Sequence, residues 1–105
     1  MGFMGWFMGG GCEQLSTDEV KKMKEGGAKF TLVDVRTPQE NAVRRLAGSK
    51  LIPLKELADR ANEIPRDREV VLYCQNGVRS LLACRMLRKL GFTQVKNMAG
   101  GISRW

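Results

Sequence analysis

Between Glu69 and Leu90 the chain reads EVVLYCQNGVRSLLACRMLRKL. The apolar run Val70-Val71-Leu72-Tyr73 predicts a buried strand. Cys74 follows at once, then the small or polar residues Gln75-Asn76-Gly77-Val78. Arg79 and Ser80 close this loop and open a helical pattern. Ala83, Met86, Leu87 and Leu90 recur at i, i+3, i+4 and i+7, which predicts a helix buried along those positions. The unit is therefore strand, tight loop, helix, with a cysteine at the carboxyl end of the strand. Open α/β sheets place their chemistry there.

The flanking sequence repeats this alternation. Gln14 and Leu15 suit a sheet edge. Ser16-Thr17-Asp18-Glu19 reads as a capping box, with Leu15 and Val20 as its hydrophobic staple. The helix it opens runs through Met23 and stops at Gly26-Gly27. Phe30 to Val35 predicts the next strand. Thr37-Pro38-Gln39-Glu40 is a second cap with proline at the first helical position, and a short helix to about Arg44 follows. Ala47-Gly48-Ser49 reads as a loop and Leu51-Ile52-Pro53 as a brief extended piece. Leu54, Leu57, Ala58 and Ala61 predict a helix ended by Pro65. Gly91 ends the central helix, and Thr93 to Asn97 predicts a last strand. Strands alternating with helices imply an α/β fold with a mainly parallel sheet and right-handed crossovers.

Residues 1–12 differ from the rest. Met1 to Gly11 reads MGFMGWFMGGG, apolar and glycine-rich. It is too short for a spanning helix and lacks the charged start of a secretory signal. The expected organisation is a flexible leader over 1–12 and one domain over 13–105. Docking of the leader on the body or on a partner is a second reading. Membrane contact through the leader is the least favoured of the three.

Composition narrows the function. The chain has 105 residues, 43% hydrophobic and 28% charged, an ordinary globular balance. The net charge is +7. The basic residues are scattered and no aromatic residues interleave with them, so no nucleic-acid partner is expected. The positive field favours anionic substrates. There are three cysteines, Cys12, Cys74 and Cys84, an odd number without regular spacing. That argues against a disulfide framework and for a reducing, cytoplasmic setting. With no histidine and no paired CxxC, no metal site is expected, and the usual base of a Cys–His protease is missing.

Any activation of Cys74 must then come from the loop itself. Backbone amides converging at a helix N-terminus are orphan donors made electropositive by the helix dipole. They cradle an anion and favour a thiolate, the nucleophilic form of cysteine. Arg79 adds a planar cation suited to an oxyanion. Such a thiolate can attack sulfur, attack phosphorus or take part in thiol redox chemistry. Cys84, by contrast, reads as a core residue of the helix.

Over residues 13 to 105 the chain resembles the rhodanese-like domain family. Leu32-Val33-Asp34-Val35-Arg36 with Glu40 resembles the family's Asp-x-Arg motif and downstream glutamate. Gly48 through Leu54 resembles its Ile-Pro segment. Val71-Leu72-Tyr73-Cys74 with Gly77 and Arg79-Ser80 resembles the active-site loop. Gly100-Gly101 with Trp105 resembles the closing Gly-Gly-x-x-x-Trp signature. The chain departs from the family at Arg44-Arg45-Leu46-Ala47, where altered loop packing is expected.

The resemblance implies a five-stranded, mainly parallel sheet with helices on both faces. It implies a sulfurtransferase of the thiosulfate:cyanide class that works without a cofactor. Cys74 would carry the sulfur as a persulfide. Arg79 and the amides from Gln75 through Asn76, Gly77 and Val78 to Ser80 would bind a small anionic sulfur donor, and a thiol would be the acceptor. Asp34, Arg36 and Glu40 would support the site. A non-enzymatic partner-binding or persulfide-relay module is the alternative. A phosphatase or arsenate reductase of related fold is less favoured, because those loops place five residues between cysteine and arginine and this chain has four.

Overall fold

The computed structural model describes Trp6–Met8 and residues 11–105. The strands are β1 (Trp6–Met8), β2 (Cys12–Leu15), β3 (Phe30–Asp34), β4 (Lys50–Leu51), β5 (Glu69–Tyr73) and β6 (Val95–Met98). The α-helices are α1 (Thr17–Glu25), α2 (Pro38–Val43), α3 (Leu57–Arg60) and α4 (Val78–Lys89). The strands form one sheet in the order β1-β2-β6-β5-β3-β4. Strands β2 to β6 pair in parallel, giving the expected five-stranded parallel sheet. β1 adds an antiparallel edge, with Trp6 opposite Gln14 and Met8 opposite Cys12.

β5 lies inside the sheet, between β6 and β3. Its side chains alternate between two cores. Val70 and Leu72, with Cys74 just beyond, pack with Val33, Val35, Leu57, Ala83, Cys84 and Leu87. Val71 and Tyr73 point the other way, toward Leu15, Val20, Leu32, Met98 and Ile102. A strand covered on both faces has no polar alternation, which is why the run at 70–73 is continuously apolar.

Both capping boxes form. The amide of Glu19 donates to Ser16 Oγ at 3.0 Å, and that of Glu40 donates to Thr37 Oγ1 at 3.2 Å. The Glu19 carboxylate accepts from the Ser16 amide at 2.8 Å, and the Glu40 carboxylate from the Thr37 amide at 3.1 Å.

Three expectations change. First, the buried face of α4 is Ser80, Ala83, Cys84 and Leu87, not the stripe ending in Leu90. Met86 is only partly buried and Leu90 is 44% exposed. The helix is rotated so that Ser80 faces Cys74, and Leu90 falls at its C-cap. Second, the segment from Leu54 is not one helix. It is a 3₁₀ turn (Leu54–Glu56), the single turn of α3, and another 3₁₀ turn (Ala61–Glu63). None of the three has a side-chain cap, and so short a piece gains little from helix propagation. Leu57 and Ala61 are still buried, while Ala58 is exposed.

Third, Cys12 and Cys84 form a disulfide across a sequence separation of 72. Cys12 is therefore not part of a leader. It is the first residue of β2 and fully buried. The odd cysteine count concealed one pair and one free thiol, Cys74, so the case for a reducing setting loses its basis. Residues 1–5, 9 and 10 of the proposed leader lie outside the described residues. No helix among the described residues is long and apolar enough to cross a membrane.

Candidate functional site

Cys74 leaves β5 with its side chain fully buried. The chain then turns through Gly77, whose φ of 97° is left-handed, a conformation that glycine adopts at least cost. The turn brings the start of α4 back over the sulfur. Cys74 Sγ accepts from the Gly77 amide at 3.1 Å, the Ser80 amide at 3.3 Å and Ser80 Oγ at 3.3 Å. The Val78 amide is taken by Asn76 Oδ1 at 3.2 Å, which closes the turn.

Burial opposes ionisation of Cys74. The Ser80 hydroxyl and the amides of Ser80, Gly77 and Asn76 outweigh it and hold the thiol below its ordinary pKa. Hydrogen bonds to the charged form favour that form. Ser80→Ala removes the hydroxyl donor. The midpoint of the pH–rate curve for Cys74 modification is then expected to move up, with a rate loss of about tenfold at neutral pH.

The loop carbonyls are tied outward. The Ile102 amide donates to Cys74 O at 2.9 Å and the Ser103 amide to Gln75 O at 3.0 Å. Asn97 Nδ2 donates to Gly77 O at 3.2 Å and to Gln14 Oε1 at 2.9 Å. With those carbonyls held back, the amides of Gly77 and Ser80 face the sulfur. Gly101 permits this contact. Its φ is 63°, and a Cβ there would lie 2.4 Å from Gln75 O and 2.5 Å from Cys74 O. Gly101→Ala is expected to cost about 2–3 kcal/mol of stability in denaturant unfolding and to slow Cys74 chemistry, because the loop must shift.

Asp34 and Arg36 form a buried ion pair beneath the loop. The Arg36 amide and Nε both donate to Asp34 Oδ1 at 2.9 Å, and Nη2 donates to Oδ2 at 2.9 Å. Asn41 Nδ2 adds a bond to Asp34 Oδ2 at 3.0 Å. Arg36 also reaches Arg44 O, touches Gln75 Oε1 at 3.5 Å, and lies over the Tyr73 ring. This knot joins the end of β3, the exit of α2 and the loop after Cys74. In the departing segment, Leu46 is buried and its amide donates to Tyr73 Oη at 3.0 Å.

Arg79 gives its fork to Glu40. Nη1 lies 2.8 Å from Oε1 and Nη2 lies 2.9 Å from Oε2. The Arg79 hydrogen bond is the largest cause drawing the Glu40 pKa from 4.5 to about 2. The pair is charged throughout the neutral range. Beside it opens a cleft of about 500 Å³ between the start of α2 and the turn at Pro53–Glu56.

The structure thus gathers Cys74, Gly77 and Ser80 in direct contact, with Arg79 and Glu40 paired nearby. Gln75, Asn76 and Val78 expose their side chains. Sequence reasoning missed the Ser80 hydroxyl and the Asn97–Gln14 brace. Gln14 and Asn97 each sit beside a partly buried charged residue, Glu13 or Lys96, so the sequence of neither strand marks them as the buried pair.

A mainly parallel sheet with a cysteine sulfur held by two amides and a hydroxyl at a strand's carboxyl end defines an α/β fold with a donor-lined loop at the head of a helix. The chain belongs to the rhodanese-like domain family, whose model matches residues 16–105. It is 44% identical over 85 residues to the uncharacterized protein YqhL of Bacillus subtilis, covering 81% of this chain and 68% of that one. It is 43% identical over 74 residues to a sulfurtransferase of Allochromatium vinosum, covering 70% and 69%. A rhodanese-like domain protein of Staphylococcus aureus superposes with a TM-score of 0.83 at 30% identity, covering 88% and 89%. Relatives so named support a sulfurtransferase or sulfur-carrier role.

Proposed function

We propose that this chain is a sulfurtransferase that moves a sulfane sulfur through a persulfide on Cys74. The observation that carries the reading is the convergence of two amides and one hydroxyl on a single free, buried cysteine sulfur. The Cys74 thiolate attacks the outer sulfur of the donor. A new S–S bond forms as the donor's own bond to that sulfur breaks, and the leaving group departs with the bonding pair. Thiosulfate would leave as sulfite, and an organic persulfide as its thiolate. The Gly77 and Ser80 donors then hold the terminal persulfide sulfur. A thiol, or cyanide in the assay, attacks that sulfur and restores the Cys74 thiolate, a ping-pong cycle.

Gln75, Asn76, Val78 and Arg79 border the entrance, and Asp34, Arg36 and Glu40 hold its frame. The spacing of four residues between Cys74 and Arg79 favours sulfur over a phosphoryl group. The reading is tested by incubating the protein with thiosulfate and with a low-molecular-weight persulfide. Intact mass is expected to show one added, cyanide-labile sulfur atom on Cys74. No added sulfur with either donor would overturn it.

A further inference from the structure

We infer that the cleft beside Arg79 seats the carbon skeleton of an organic persulfide bearing a carboxylate, and that Glu40 turns the site away from thiosulfate. The inference rests on the proposed role of Cys74 and specifies its donor.

Three observations carry it. Both Arg79 hydrogen-bond arms end on the Glu40 carboxylate, so the loop's one cation is already neutralised. A small dianion such as thiosulfate must compete with that carboxylate, whereas the R–S–SH group of a persulfide brings no second charge into the loop and needs only the amides around Cys74. The cleft is also larger than thiosulfate needs. At about 500 Å³ it falls in the range of small-molecule sites. A five-atom dianion displaces only roughly 100 Å³, the share of a few waters.

The lining of the cleft is mixed. Val35, Pro38, Pro53 and Leu54 supply apolar surface, and Lys55 adds a cation. Glu56, the acid in the lining, pairs with Arg60 at 2.9 Å. An apolar wall with a lysine suits a short carbon chain ending in a carboxylate. The cleft adjoins the loop at two points. Arg79 belongs to the first turn of α4, and Arg36 touches Gln75.

The chemistry balances without a further reactant. The Cys74 thiolate attacks the outer sulfur of R–S–SH. The Cys74–sulfur bond forms, the donor's S–S bond breaks, R–S⁻ leaves with that bonding pair, and the proton stays on the transferred sulfur or passes to solvent. Sulfane sulfur is relocated and no net oxidation occurs.

The test compares loading of Cys74 from glutathione persulfide and from thiosulfate, read by intact mass at limiting donor. Wild type is expected to favour the persulfide. Lys55→Glu and Gln39→Trp, both at exposed cleft positions, are expected to lower the persulfide-to-thiosulfate ratio of kcat/KM by about tenfold each. Glu40→Gln keeps a capping-box residue and is expected to raise thiosulfate loading. An unchanged ratio in both cleft variants, or a wild-type preference for thiosulfate, would overturn the inference while Cys74 still loads. No gain in thiosulfate loading by Glu40→Gln would overturn the part given to Glu40. Loading from neither donor would overturn the Cys74 reading itself.

Discussion

Cys74→Ala is expected to reduce sulfur loading and transfer to background while leaving the fold intact. The side chain is buried at the junction of sheet and loop, and its sulfur accepts three hydrogen bonds. Alanine removes the nucleophile, and nothing nearby replaces it, because the other two cysteines are bonded to each other. The orphaned donors at Gly77 and Ser80 are expected to cost about 1–3 kcal/mol in unfolding experiments, far less than the loss of function. Cys12→Ala and Cys84→Ala, by contrast, are expected to retain transfer. Full activity in Cys74→Ala would move the chemistry elsewhere.

The second large effect is on stability. Breaking the Cys12–Cys84 bond is expected to cost about 4 kcal/mol, the chain-entropy value for a closed loop of this length. The bond ties β2 to the middle of α4, the helix whose first turn holds the Cys74 sulfur. Wild type with and without reductant, beside Cys12→Ala and Cys84→Ala, gives the measurement by thermal or denaturant unfolding. The reduced protein and both variants are expected to melt together, well below the oxidised wild type. A melting curve insensitive to reductant would show that the bond contributes nothing.

Much of this molecule could be read along the chain because local rules and the global fold agree. Ser16 and Thr37 announce their helices through capping boxes that form with both reciprocal bonds. The continuous apolar run of β5 announces burial on two faces. The strand–loop–helix around Cys74 follows from the same run and from Gly77.

What stayed hidden depends on distance in three dimensions. No spacing rule pairs Cys12 with Cys84, because their approach is set by packing α4 against β2. Arg79 reads locally as a free cation, and only the placement of α2 shows its guanidinium already occupied by Glu40. On α4, hydrophobicity alone points to the wrong stripe. Ser80 outranks Leu90 for burial because it donates to Cys74. Gly101 is a turn residue by sequence, and a close approach to the loop carbonyls by structure.

The most direct test is a spectroscopic titration of thiolate absorbance, taken as wild type minus Cys74→Ala so that Tyr73 cancels. With Cys12 and Cys84 oxidised, Cys74 is the one thiol that can report. A midpoint clearly below the ordinary cysteine value of about 8.5 is expected, moving upward in Ser80→Ala. A wild-type midpoint at or above that value, unmoved by Ser80→Ala, would mean that the ring of donors does not stabilise the charged sulfur.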